Sequence, residues 1–217
     1  MTVKAYEPGK SYATDSTPGY GSLYINTNPI PISKDDLSIA GYESDRVYTK
    51  INRPYNASGG EVEIYNVATG ELVATNEFPT SSAKMDITTN VAYKYRVRST
   101  FYNATFNKTY YSEWSDYRYF DNLTVKKLRS GSYNGCKIKL KGVKNVEKYK
   151  IYVSKKSNSG YKLTKTVRPE LGKTVTYTVN KIGSYKMKKG VYYNVKVVPV
   201  ISGNHNSDIS YKLGFFN

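Results

Sequence analysis

Two segments that lie one hundred residues apart have nearly the same pattern of side chains. The first is Val91–Arg98 (VAYKYRVR) and the second is Val191–Val198 (VYYNVKVV). In each, a tyrosine begins an alternation of apolar and polar residues, which places the two sets of side chains on opposite faces of a β-strand. A spacing of about one hundred residues is the size of one small β-sandwich. The chain is therefore predicted to contain two copies of one all-β module.

The length and the spacing of turn residues agree with this division. At 217 residues the chain is long enough for one or two domains. Strand-like segments recur between turn residues, and no segment has the period of a helix. The predicted fold class is all-β, with two consecutive seven-stranded immunoglobulin-like sandwiches. We expect a linker or N-terminal arm at residues 1–22, the first sandwich at residues 23–121 and the second at residues 122–217.

Each module is predicted to close on one long strand, which is Thr109–Phe120 in the first module and Ser207–Phe216 in the second. The boundary falls near Asp121 and Asn122, where the sequence leaves almost no linker. The two modules are therefore expected to stand end to end with limited freedom.

The chain has a single cysteine, Cys136, so no disulfide can form within it. Cys136 alternates with lysines on the same side as Ile138 and Leu140, which predicts a buried core position. The only histidine is His205, and one cysteine with one histidine cannot form a His/Cys zinc site. No metal or cofactor is expected.

Several motifs resemble those of fibronectin type III domains, of the kind found in secreted bacterial proteins. They are Tyr93-x-Tyr95-x-Val97, Tyr193-x-Val195-x-Val197, the third-strand segment Tyr149–Val153, and Tyr111–Ser115 (YSEWS), which resembles the SxWS entry into the last strand. The resemblance covers roughly residues 35–217. Where that family usually has a tryptophan in its second strand, this chain has Ile51 and Leu140. An immunoglobulin-like relative with the same sandwich therefore stays open.

The resemblance implies structural roles for two tyrosines. Tyr93 and Tyr193 correspond to the tyrosine corner, in which the hydroxyl bonds back to the backbone. It also implies a sheet arrangement, with the second strand in one sheet and the third and sixth strands in the other.

The charge is concentrated in the second module. The whole chain has a net charge of +16, and residues 122–217 carry +18 from 21 Lys and Arg against three acids. Residues 22–121 hold ten Lys and Arg against twelve acids. A strongly basic module beside a nearly neutral one indicates an anionic partner for the second module, such as a cell-wall polymer or polysaccharide.

Alternation places many of these lysines on outer faces of predicted strands. The candidate polyanion-binding residues are Lys137, Lys139, Lys141, Lys148, Lys150, Lys186, Lys188, Lys189 and Lys196. The chain has 26 Lys but only 7 Arg, and bidentate recognition of phosphates or bases favours arginine. Specific binding of nucleic acid is therefore not expected. A solvated lysine face without a partner is the alternative interpretation.

Aromatic residues crowd the end of the first module. Flat rings stack on sugar faces, so the candidate glycan-stacking residues are Tyr111, Trp114, Tyr117 and Tyr119. We expect Tyr117 and Tyr119 on one face of a strand, with Trp114 across the turn from them. The alternative is that these rings fill the core or the contact between the modules.

Catalysis is not predicted. Glycoside hydrolysis needs two carboxylates about 5–9.5 Å apart, whereas the acids of the first module, including Glu61 and Glu63, are expected to be solvated on turns and outer faces. No GxSxG, P-loop, GxGxxG or HExxH motif occurs in the sequence.

The sequence is interpreted as a non-catalytic spacer or adhesion module of a larger extracellular or cell-surface bacterial protein, monomeric as a fragment. One alternative is a carbohydrate-binding or accessory fragment of a glycan-active enzyme. Another is a module that contacts a protein partner through exposed strand edges. No apolar stretch reaches the roughly 20 residues of a membrane span, and the first residues lack the apolar segment of a signal peptide.

Overall fold

A computed structural model describes residues 29–33, 36–43, 45–54, 57–78, 82–88, 90–104, 106–121, 126–128 and 135–217. The predicted arm at residues 1–22 lies outside the described residues.

The described strands between Leu37 and Asp121 form two antiparallel sheets. The strands are β1 (Leu37–Tyr42), β2 (Arg46–Ile51), β3 (Gly59–Asn66), β4 (Leu72–Phe78), β5 (Lys84–Asp86), β6 (Ala92–Asn103), β7 (Lys108–Tyr111) and β8 (Arg118–Asp121). One sheet has the order β1-β2-β5. The other has the order β4-β3-β6, and both β7 and β8 pair with β6.

The strands after Asp121 repeat this arrangement. They are β9 (Lys126–Leu128), β10 (Cys136–Lys141), β11 (Val146–Ser154), β12 (Lys162–Val167), β13 (Thr174–Val179), β14 (Lys181–Ile182), β15 (Tyr185–Lys186), β16 (Tyr192–Ile201), β17 (His205–Asn206) and β18 (Tyr211–Phe216). One sheet has the order β13-β10-β9, and the other the order β12-β11-β16 with β17 and β18 both on β16. A small hairpin, β14-β15, completes the described strands.

The predicted all-β class is confirmed, and the sheets divide as the resemblance implied. Strand β10 lies in one sheet of the second module, and β11 and β16 lie in the other. The alternating residues face inward as predicted: Cys136, Ile138 and Leu140 on β10 are at most 2 % exposed. Ile51, at the position where the family usually has tryptophan, is fully buried. A smaller apolar side chain thus closes the core there.

The prediction of a single closing strand in the first module was wrong. Thr109–Phe120 is divided into β7 and β8 by residues 112–117. The reason is that two serine side chains replace backbone acceptors there: Val97 N donates to Ser115 Oγ (3.1 Å), and Ser99 N donates to Ser112 Oγ (3.0 Å). These hydroxyls accept from backbone N–H groups of β6, while residues 112–117 leave the regular β-sheet pairing.

The closing strand of the second module begins at Tyr211 (β18) rather than at the predicted Ser207, and residues 207–210 separate it from the two-residue strand β17. Pro199 of β16 has no N–H to donate at this point, although its carbonyl still accepts from Ser207 N (2.9 Å). Ser207 then turns its hydroxyl toward Asp121 of the first module (3.2 Å). The interruption therefore coincides with the contact between the modules.

Both corner tyrosines bond to the backbone five residues upstream. Tyr93 Oη accepts from Thr88 N (2.8 Å) and donates to Thr88 O (3.2 Å). Tyr193 Oη accepts from Lys188 N (2.9 Å). Each ring is 1 % exposed and stacks on an aromatic residue of the closing strand, Phe120 or Phe215. The geometry is that of the corner described for this type of sandwich.

Replacing Tyr193 with phenylalanine is expected to lower the free energy of unfolding by about 1 kcal/mol, because Lys188 N loses its acceptor while the ring still packs. Urea denaturation measures this change. Tyr192→Phe removes a hydroxyl from the adjacent ring, which is 50 % exposed, and serves as the control. Equal effects of the two changes would contradict a corner role for Tyr193.

An irregularity of register occurs in both modules, in the pairing of the third strand with the edge strand that follows it. The pairing of β3 with β4 shifts between Ile64 and Tyr65, and the pairing of β11 with β12 shifts between Ile151 and Tyr152. In each module the shift lies on the edge strand that follows the third strand, so it is a shared feature of the two copies.

Candidate functional site

The lysines of β10 form an exposed row on the outer face of the three-stranded sheet. Lys137, Lys139 and Lys141 are exposed and alternate with the buried core residues. Side chains two positions apart on a strand are about 7 Å apart. Their partners in register on β13 are the uncharged Thr178, Thr176 and Thr174. We call Lys137, Lys139 and Lys141 the β10 lysine row.

The three acids of residues 122–217 each contact a group outside this row. Only Glu147, Glu170 and Asp208 occur there. Glu147 accepts from Gly203 N (3.0 Å), Glu170 pairs with Lys173, and Asp208 pairs with Arg118 of the first module. The β10 lysine row therefore has no carboxylate from its own module to neutralise it.

The remaining candidate lysines do not join this row. Lys148, Lys150 and Lys196 are half-buried on strands of the other sheet. Lys150 Nζ donates to Asn206 (3.1 Å), and Lys196 Nζ lies over the rings of Tyr152 and Tyr161 at 5.3 and 4.9 Å. Lys186, Lys188 and Lys189 are exposed in and after the β14-β15 hairpin. The structure thus separates the nine candidates into distinct surfaces.

In the first module, cations and rings alternate in a ladder on the outer face of the five-stranded sheet. Arg96 lies over Trp114 at 4.6 Å, Arg98 lies over Tyr111 at 4.1 Å, and Lys94 lies over Tyr117 at 4.4 Å. Arg98 also lies over Trp114, at 4.5 Å. Stacking of this kind stabilises rings and cations together. Three of the four candidate glycan-stacking rings therefore already have cations against them.

Carboxylates of the adjacent strand β3 pair with the two arginines of this ladder. Arg96 pairs with Glu63 (2.8 Å) and Arg98 pairs with Glu61 (2.6 Å), from the adjacent strand β3. The Glu61 and Glu63 side chains are only 12 % and 16 % exposed. The expectation that these two acids are solvated was wrong, because the arginines two residues apart on β6 stand opposite them in register.

Tyr119, the register partner of Lys94, is covered by the second module rather than by a cation. Its ring stacks on His205 of the second module, with the ring centroids 3.9 Å apart and the planes 10° apart. One face of Tyr119 is therefore covered by the second module.

An ion pair joins the two modules beside this stack. Arg118 on β8 donates from Nε to Asp208 Oδ2 (2.8 Å) and from Nη2 to Asp208 Oδ1 (2.5 Å). Tyr95 Oη donates to the same carboxylate (2.8 Å). The hydrogen bonds with Asp208 raise the pKa of Arg118, and burial followed by the charge of Asp208 raises the pKa of Tyr95. The carboxylate thus has three donors, all from the first module.

Asp121 is fully buried at the same junction. Its Oδ1 accepts from Ser207 Oγ (3.2 Å), whereas its Oδ2 has no hydrogen-bond partner among the described residues. Burial raises the pKa of this carboxyl from 3.8 to about 7, although the bond from Ser207 acts in the opposite direction. No described cation forms an ion pair with it, and its charge in turn contributes to raising the pKa of Tyr42 and Tyr149.

The ion pair at the junction was not identified from the sequence. Arg118 and Asp208 lie 90 positions apart, and neither belongs to a motif. The one available signal was the scarcity of acids: Asp208 is one of three in a strongly basic segment.

Within the described part of the chain, no three His, Cys, Asp or Glu side chains are grouped so that they could hold a metal ion. The described residues also include no helix with the length and apolar character that crossing a bilayer requires.

No protein-family model matches the chain, and no curated protein sequence matches it either. Among solved structures, the chain is similar to a segment of two fibronectin type III domains from chicken tenascin. The sequence identity is 12 %, the TM-score is 0.34, and the match covers 86 % of this chain and 99 % of the tenascin segment.

The chain is also similar to the FN1–FN3 domains of chicken CNTN1, with 15 % identity and a TM-score of 0.31 over 86 % of this chain and 65 % of that one. A structure described as a myokine covers 45 % of this chain and all of its own, with 10 % identity and a TM-score of 0.36. Tandem fibronectin type III domains are thus among the structures that the chain resembles over most of its length.

Proposed function

We propose that this protein is a non-catalytic spacer and adhesion module of an extracellular or cell-surface protein, in which the second module contacts an anionic wall or glycan polymer. The observation that carries the proposal is the β10 lysine row, which is exposed and has no carboxylate from its own module. A row of unneutralised cations attracts a polyanion at long range, and the attraction weakens as salt rises.

The contrast with the first module supports this assignment. There, the arginines at positions 46, 96, 98 and 118 each form an ion pair with a carboxylate. In the second module the only ion pair between described residues of that module joins Lys173 and Glu170. The basic charge of the second module is therefore little used in ion pairs within that module.

The junction supports the role of a spacer. An ion pair, a stacked ring pair and a backbone bond from Asp208 N to Tyr119 O (2.8 Å) connect the modules within a few residues of the proposed boundary. Such contacts limit bending between neighbouring domains, so the pair can hold the two ends of the segment apart.

Retention of the protein on immobilised polyanion is expected to fall with salt, and to fall further when Lys137, Lys139 and Lys141 are replaced with glutamine. Each lysine contact that is lost means that one counterion fewer is released on binding. The magnitude of the slope of log affinity against log salt should therefore decrease by about 2 to 3. Affinity chromatography on a teichoic acid resin and on a heparin resin, over a salt series, measures this slope.

The matched control replaces Lys155, Lys156 and Lys162 with glutamine. These lysines are also exposed in the second module, so the net charge changes equally while the β10 lysine row is intact. If both triple variants lower the slope to the same extent, only net charge matters and the assignment to the row fails. Retention that does not respond to salt would reject polyanion binding altogether.

The alternative function, carbohydrate binding in the first module, depends on open ring faces. Trp114, Tyr117 and Tyr119 are half-buried, with cations or His205 against them. Tyr111 is 44 % exposed and borders a cleft. A sugar site in this module would therefore be centred at Tyr111 rather than at Trp114.

A further inference from the structure

A cleft of about 320 Å³ opens on the outer face of the five-stranded sheet of the first module, at the end of the cation–ring ladder. It lies between β4, β3, β6 and β7. The residues that define its chemistry are Ser58, Glu77, Thr100, Tyr102, Thr109 and Tyr111.

The cleft lies where the series of ion pairs between β3 and β6 ends. Along β3 and β6, Glu63 faces Arg96 and Glu61 faces Arg98, but the next pair on the same face is Gly59 with Thr100. A Cβ at Gly59 would stand 3.2 Å from Thr100 Oγ1 and 3.0 Å from Phe78 O, so a side chain there would occupy this space. Gly59 therefore leaves the cleft open, whereas the two preceding pairs on this face are filled by ion pairs.

Two tyrosines line the cleft. Tyr102 and Tyr111 are 50 % and 44 % exposed, and they lie on the paired strands β6 and β7. Tyr102 Oη donates to Asn107 Oδ1 (2.7 Å), and Tyr102 N donates to Ser58 Oγ (2.8 Å). Arg98 covers one face of Tyr111. Both rings are thus held in place before any ligand arrives, which reduces the entropy lost on binding.

The polar groups at the cleft suit an uncharged ligand with many hydroxyls. Glu61 is neutralised by Arg98, and Glu77 is exposed with no ion pair to a described residue. Thr100, Thr109 and Ser58 supply hydroxyl groups. A carboxylate without a cation beside it accepts hydrogen bonds from hydroxyls and repels anions. An anionic polymer of the kind proposed for the second module is therefore a poor ligand here.

We infer that this cleft binds a neutral pyranose unit of a glycan, with Tyr102 and Tyr111 against the sugar ring and Glu77 accepting from its hydroxyls. The volume lies at the low end of the range for small-ligand sites, about 300–1,000 Å³, and suits one or two sugar rings. The site is in the first module and uses no lysine of the β10 row, so it does not rest on the proposed function of the second module.

Saturation-transfer NMR with the full chain and maltotetraose, cellotetraose and mannotetraose tests the inference. At least one of these sugars is expected to bind at concentrations below about 10 mM, and Tyr102→Ala should weaken that binding about tenfold or more. Tyr102→Phe keeps the ring and should retain most of the affinity. Glu77→Gln should weaken binding several-fold, since a charged acceptor becomes a neutral one.

Tyr185→Ala, which removes a 74 % exposed ring in the second module, is the control and should leave sugar binding unchanged. The triple glutamine variant of the β10 lysine row should also bind the sugar as the unaltered protein does. The inference is overturned if none of the three sugars binds, or if binding persists in a Tyr102→Ala variant with unchanged circular dichroism. Loss of sugar binding with intact polyanion retention would leave the proposed function standing.

Discussion

Replacing Arg118 with alanine is expected to lower the free energy of unfolding by about 2–3 kcal/mol and to loosen the connection between the modules. The change removes two charge-assisted hydrogen bonds and leaves the Asp208 carboxylate, 13 % exposed, with Tyr95 Oη as its remaining side-chain donor. Urea denaturation measures the stability. Small-angle X-ray scattering measures the loosening as a larger radius of gyration.

A double-mutant cycle with Asp208→Asn separates the ion pair from other effects of the arginine. Once Arg118 is gone, the second change should cost much less than it does alone, because Asp208→Asn then removes an uncompensated carboxylate instead of breaking an ion pair. Arg46→Ala is the control within the first module, since its partners Glu43 and Asp86 are 55 % and 83 % exposed, and it should leave the scattering profile unchanged. Fully additive effects of the two junction changes would show that Arg118 and Asp208 do not stabilise each other.

The free energy of unfolding is expected to fall by about 3 kcal/mol between pH 5 and pH 8 because of the buried Asp121 at the junction. The pKa of this carboxyl is about 7 in the folded protein against 3.8 ordinarily, so the folded state holds a proton that the unfolded chain releases. The contribution of the neutral form is complete below about pH 4, is lost as the pH rises toward 7, and changes little above it. Urea midpoints measured across this range report the loss.

Asp121→Asn should remove this part of the pH dependence, because the amide does not ionise. Asp116→Asn makes the same change at an exposed position near the same strand and should leave the profile as it is. Carbon-13 NMR of the Asp121 carboxyl gives an independent measure of its titration. A midpoint near 4 in that titration would reject the buried neutral carboxyl, whatever the urea data show.

Periodic features of the chain could be predicted because they depend on neighbours in sequence. The alternation at Cys136, Ile138 and Leu140 determines which side of β10 is buried, and the opposite side must then carry the β10 lysine row. This inference needs only the period of a strand and a buried face. The corner role of Tyr193 came instead from the resemblance to fibronectin type III domains.

The features that were missed depend on which strands become neighbours. Glu61 and Glu63 are acids on a strand edge until β3 pairs with β6, and only this register places Arg98 and Arg96 opposite them. The cleft likewise requires Gly59 to face Thr100 across two strands that are separated in sequence. The division of the closing strand depended on serine hydroxyls that act as backbone acceptors, which alternation does not reveal.

The register shift shared by β3-β4 and β11-β12 bears on how two similar modules fold within one chain. A newly made edge strand is a template for any complementary strand nearby, and tandem copies supply one at high local concentration. The shifts at Tyr65 and Tyr152 bend each edge, so that a strand from the other copy cannot match a regular row of donors and acceptors. Misassembly between the copies is thereby disfavoured while each module is still closing.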